Sequence, residues 1–190
     1  MRRKILVLSI FILALTGAAT AQNSAVIAEA ERISRDRFTI ATRTPAGANI
    51  YAVNAPSAAM LKAIDRGLAD LFAVARKNGY TRKLNHSDYT VYIAKADRTD
   101  NGGAYSPDIA VGAAQYAGTE YDNGGYIFTA GMVIARNPLA FLIAEHTSDF
   151  GRVSDVVRYE GEHLVLYHND RQRFAATADH SRGGGHPILR

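Results

Sequence analysis

Residues 156–170 read VVRYEGEHLVLYHND and hold the side chains with the most chemistry to offer. Glu160 and His163 stand three residues apart. At 100° per residue, Val153, Val156, Glu160, His163, Leu164 and Tyr167 share one broad face of a helix. That face is expected to be the buried one, with Arg158, Glu162, Val165 and Arg173 pointing elsewhere. A carboxylate and an imidazole among apolar neighbours need partners, because unpaired buried charge is costly. One answer is a mutual ion pair or hydrogen bond of structural purpose. The other is a metal site, in which a helix offers Zn²⁺ ligands one turn apart while a neighbouring Glu holds the attacking water.

The run Tyr159-Glu160-x-x-His163 resembles the H-E-x-x-H helix of the zincin metallopeptidases. The order of elements over roughly residues 50–170 is similar too: a helix, strands that include an edge strand over a cleft, then the active-site helix. The resemblance implies a zinc-dependent peptidase in which Glu160 is the general base and His163 a zinc ligand. Tyr159 stands where the family has its first histidine. As a phenolate it could ligate a metal, but its ordinary pKa near 10 makes it a poor ligand without help from the metal.

Further ligands have to come from elsewhere. Asp170 lies about 10.5 Å along a continuous helix from His163. It suits a supporting partner or a cap better than direct sharing of one metal, unless the helix breaks at Asn169. The tail, DHSRGGGHPILR (179–190), carries His180 and His186 around three glycines. If it folds back, His163, His180 and His186 make a three-histidine site with Glu160 as base or hydrogen-bonding support. Otherwise the tail histidines are solvated.

The elements that must position these groups are legible in outline. Phe38–Thr42 and Asn49–Val53 are β-prone runs around the turn sequence TPAG (44–47), which predicts a hairpin. A helix is expected from about Ser57 to Asn78, with Leu61, Ile64, Leu68, Leu71, Phe72 and Ala75 as its apolar stripe and Gly79 as its stop. DYTVYIAK (88–95) and YIFTAGMVIA (126–135) read as strands. Leu139–Ala144 reads as either a short helical or an extended segment. Thr147, Ser148 and Asp149 offer caps for a second long helix, Phe150 to Asn169. Gln22–Arg35 is a short helix or a frayed start. The fold class expected is α+β: a small mixed or antiparallel sheet with two principal helices, zincin-like in plan.

Whole-chain features narrow the class of function. Of 190 residues, 1–21 have the form of a secretory signal peptide. Arg2, Arg3 and Lys4 precede an apolar run that ends at Ala19-Thr20-Ala21. Residues 22–190 then form one exported domain, periplasmic or extracellular, with no membrane attachment after cleavage. Without the leader's three cations the chain has 19 basic and 18 acidic residues, so there is no field to attract nucleic acid. No cysteine is present, which removes disulfides, thiol nucleophiles and a lipid-anchor cysteine. There is no G-x-S-x-G elbow. Glu160 and Glu162 point about 200° apart on a helix and do not form a glycosidase pair. The two Asp-Asn-Gly-Gly strings read as turns, since a calcium loop needs more regularly spaced oxygen ligands. His86 reads as a surface residue, His146 as a neighbour of a helix end, and His168 as lying outside the His163 sector.

Two functions are therefore carried forward. One is a zinc-dependent peptidase with Glu160 as base and a peptide or protein substrate. The other is a non-catalytic exported binding protein in which Tyr159, Glu160 and His163 form a structural polar cluster.

Overall fold

The structure is a computed structural model, and it describes residues 26–28, 30–32, 34, 36–95, 139–177 and 185–189. The expected leader, the strand expected over 126–135, both Asp-Asn-Gly-Gly strings and His180 lie outside them. The fold is α+β: a four-stranded mixed sheet with helices on both faces.

Strand β1 (Ile40–Arg43) and strand β2 (Asn49–Ala52) form the expected antiparallel hairpin. Its turn closes by Gly47 N–H donating to the Thr44 carbonyl at 2.9 Å, and Thr44 Oγ1 accepts from Ala48 N at 2.9 Å. Gly47 has φ of 101°, a left-handed conformation that glycine adopts without a Cβ clash. Helix α1 (Ala58–Lys77) follows. Ser57 caps its start by accepting from Met60 N, and Asn78 and Gly79 end it. The chain then enters β3 (Thr90–Ala94), parallel to β2, and later β4 (Ala140–Ala144), parallel to β3. Leu139–Ala144 is thus resolved in favour of the extended alternative. All five residues of β4 are buried, so the segment shows no in–out alternation.

The pleat sorts the core into two layers. Ile50, Ala52, Val91, Ile93, Phe141 and Ile143 face the long helices. Tyr92, Ala94, Ala140 and Leu142 face the other way, where Phe38, Val26 and Ala30 of the N-terminal helical segment cover them. Tyr51 stacks on Tyr92 across the strands with ring centres 5.3 Å apart, and Phe38 meets Tyr92 edge-on.

Helix α2 (Phe150–Asn169) is the second long helix, with the boundaries its sequence implied. Asp149 caps it by accepting from Arg152 N at 3.0 Å, and His146 Nδ1 accepts from the amides of Ser148 and Asp149. It lies against α1 through two small residues. A Cβ on Gly67 would run into the Ser154 carbonyl and the Val157 side chain, and one on Gly161 would meet the Leu71 side chain. Arg66 reinforces this seam by donating to Ser154 Oγ and to the Phe150 carbonyl. The helix stops after Asn169, and a short α3 (Arg171–Thr177) turns away. Among the described residues, no helix is long and apolar enough to cross a membrane.

Candidate functional site

The site is built on the middle of α2, where one turn brings Glu160 and His163 together. Both are buried, at 6% and 0% exposure. Val153, Val156 and Leu164 are buried with them, and Tyr167 is half-buried at the end of the same stripe. Tyr159 sits at the rim, 38% exposed, with the Arg158 guanidinium 5.4 Å from its ring centre.

Two expected outward positions need correction. Glu162 is fully buried, and so is Val165. The expectation assumed a helix with one covered side. Instead α1 covers one side of α2, while residues 185–189 cross another. Ile188 enters the main core at 4% exposure, and its backbone N–H donates to Glu162 Oε1 at 2.9 Å. Glu162 Oε2 lies 3.1 Å from His186 Nδ1. Sequence reasoning missed Glu162 because its burial depends on a segment 26 residues further along. The available signal was the apolar pair Ile188-Leu189 after three glycines, an odd ending for a solvated tail.

The returning segment sets His186 beside His163, with ring centres 5.0 Å apart and planes tilted by 50°. Tyr159 approaches the same imidazole at 4.8 Å between ring centres. The described cluster is thus Tyr159, Glu160, Glu162, His163 and His186. Two imidazoles sharing a tetrahedral zinc at normal N–Zn distances have ring centres roughly 5 Å apart. His163 and His186 therefore fit a shared metal in spacing. Among the described residues, no group of three or more His, Cys, Asp or Glu side chains is arranged to hold a metal ion.

Asp170 is engaged elsewhere. Its Oδ1 accepts from Arg173 N at 2.9 Å, starting α3, and its Oδ2 accepts from the Tyr80 hydroxyl at 3.2 Å. The Arg173 amide foremost, then the Tyr80 hydroxyl and the Arg173 charge, hold the Asp170 carboxyl below its ordinary range. Burial pushes the Tyr80 phenol up, with the Asp170 hydrogen bond and charge acting in the same direction. Beside it the Asn169 amide accepts from the Thr81 and Arg82 amides and donates to the Arg82 and Val165 carbonyls. The Asn-Asp pair at the end of α2 thus ties that helix to the exit of α1.

The other described histidines, His86, His146 and His168, have surroundings of their own. His86 is half-buried rather than on the surface: its Nε2 is 3.1 Å from the Asp65 carbonyl and its ring meets Phe72 edge-on. It borders an open cleft of about 360 Å³ lined by Ala46, Phe72, Arg76 and Leu84, among others. His146 caps α2 as expected, and His168 packs edge-on to Tyr167. Comparison with protein-family models, with curated proteins and with solved structures gave no match for this chain.

Proposed function

We propose that this is an exported, zincin-like protein whose late helix and returning tail build a zinc site for hydrolysis of a peptide substrate. The observation that carries the reading is the arrival of His186 beside His163. A tail histidine on a solvated segment would have no reason to sit in that place. In this reading His163 and His186 hold the metal, with His180 as the proposed third ligand. Zinc in such sites supplies Lewis-acid activation of water. Glu160, buried one turn before His163, serves as the base that takes the proton from water. Tyr159 at the rim is positioned to hydrogen-bond a substrate that reaches His186. The leader-like first 21 residues support export.

A second reading has its own support. The Glu162 contacts with Ile188 N and His186 Nδ1 pin the C-terminal segment to the core, as a structural polar cluster would. The protein would then be a non-catalytic exported binding protein.

Metal analysis of the purified protein separates the two. The zinc reading expects stoichiometric zinc and a lowered melting temperature in chelator. Absence of zinc, with melting unchanged by chelator, overturns it. If zinc is present, Glu160→Gln should keep the metal and abolish peptide hydrolysis. Hydrolysis surviving in Glu160→Gln removes Glu160 as the base.

A further inference from the structure

We propose that the open cleft beside His86 binds a small carboxylate carrying a short apolar group, and that Arg76 holds its charge. None of the residues that line this cleft belongs to the cluster on α2, so the site stands apart from the zinc reading.

Three pieces of chain wall the space of about 360 Å³. Helix α1 supplies Ala69, Phe72 and Arg76, the hairpin turn supplies Ala46, and the loop before β3 supplies Leu84 to Ser87. The α1 residues recur at intervals of three and four, so they share one face of that helix. Phe72 and Leu84 are buried and offer an apolar floor. Room remains because positions 46 and 69 carry alanine. The walls are held by contacts within the protein. Ala46 N donates to Asp65 Oδ2 at 2.9 Å, which ties the turn to α1. His86 Nε2 is 3.1 Å from the Asp65 carbonyl, and its ring meets Phe72 edge-on. Lys83, just before the lining loop, stands at φ of 57°, which side chains other than glycine seldom adopt. The Tyr89 hydroxyl donates to its carbonyl at 2.9 Å and fixes it there. A preformed space of this kind lowers the ordering cost of binding.

Arg76 is the one lining residue with a permanent charge. Its Nη2 donates to the Leu84 carbonyl at 3.2 Å, which aims the guanidinium at the loop. Among the described residues no carboxylate pairs with it, so its remaining N–H groups are open to an anion. Lys77 shares the last turn of α1, and together the two cations outweigh the partial negative charge of the helix end, about half a unit. Neither Asp65 nor Asp88 lines the cleft, and Asp88 already accepts from Lys83 Nζ and Asn85 Nδ2. A guanidinium fork matches the two oxygens of a carboxylate, and one cation balances its single charge. The Ser87 hydroxyl adds a donor on the same lining. The apolar floor then takes the rest of the ligand.

The test is ¹H–¹⁵N correlation NMR of the full chain titrated with butyrate, with a dissociation constant expected on the order of 1 mM for so small a ligand. Saturable shifts are expected at the amides of Ala46 and of Leu84 to Ser87. Butyramide, the uncharged analogue, should leave these amides in place. Arg76→Gln keeps a donor for the Leu84 carbonyl and should weaken butyrate binding about tenfold or more. Ala69→Leu keeps Arg76 but fills the cleft, and binding should be lost. Shifts that never saturate, butyramide matching butyrate, or full affinity in a folded Ala69→Leu each overturn the site. The butyramide comparison uses the native chain, so it decides even where a variant fails to fold. Inorganic phosphate binding more tightly than butyrate overturns the carboxylate class. N-acetyl-alanyl-leucine and its C-terminal amide separate two sources of the carboxylate. Tighter binding of the dipeptide acid, with the amide silent, assigns the site to peptide C-termini. Binding of butyrate alone assigns it to free short-chain acids. Binding of neither overturns the proposal.

Discussion

Helix α2 has two buried sides that follow different rules. The side against α1 is made by small and aliphatic residues: Gly67 and Gly161 let the helices approach, and Leu68, Leu71, Val157 and Leu164 fill the seam. The side beneath residues 185–189 is polar: Glu162, His163 and His186 meet there in a space closed by Ile188. The first side is held by shape, and many apolar sequences of similar volume would fill it. The second is held by directional contacts, with Ile188 N and His186 Nδ1 each facing one oxygen of Glu162. Loss of shape costs stability gradually. Loss of a directional partner leaves a buried polar group unsatisfied, which costs more than the bond was worth.

Substitutions on the two sides should separate these behaviours. The largest effect is expected from Gly67→Ala, because its Cβ would strike the backbone of Ser154, which cannot rotate away. Helix separation should cost about 1–3 kcal/mol, read from urea unfolding. Gly161→Ala meets only the end of the Leu71 side chain, so it should cost less than Gly67→Ala. Equal losses at the two glycines would show that the seam adjusts as a whole. Next is Glu162→Ala, which strips the Ile188 amide and His186 Nδ1 of their carboxylate. It should cost about 1–3 kcal/mol and speed hydrogen exchange at the Ile188 amide, with amides of α1 little changed. If α1 exchanges faster in step, the two sides of α2 are one cooperative unit.

The smallest effect is expected at the end of α2, and it depends on pH. The Asp170 carboxyl titrates lower in the fold than in the unfolded chain. Its contribution is therefore present above the unfolded value, about 3.9. It fades as pH falls through the folded value. Tyr80 is shifted the other way, so its contribution is full below about 10 and fades as pH rises through its folded value. Asp170→Asn should flatten mainly the acid limb of stability against pH and Tyr80→Phe mainly the alkaline limb, each with a smaller effect on the other limb because the two side chains share a hydrogen bond. A variant that changes both limbs equally would mean the pair titrates as one unit.

What was legible in the sequence was local. Ser57 and Gly79 bracket α1, Asp149 opens α2, and TPAG closes the hairpin, because caps and turns use neighbouring residues. The burial of Glu160 and His163 was legible as well, since both fall in step with Val153, Val156 and Leu164. Ala140–Ala144 was ambiguous because a strand covered on both faces carries no period. Glu162 was misplaced for a related reason. Periodicity locates one buried stripe, and it says nothing of a second cover supplied by residues 185–189. Asp170 showed its type of role but not its partner, since Tyr80 lies 90 residues away.

The closure of α2 by Ile188 also leaves one side of that helix dependent on a segment far along the chain. Whenever residues 185–189 lift away, that side faces water, and Glu162 meets it as a polar group where a leucine would invite a wrong partner. The same carboxylate is the acceptor on which the segment lands again.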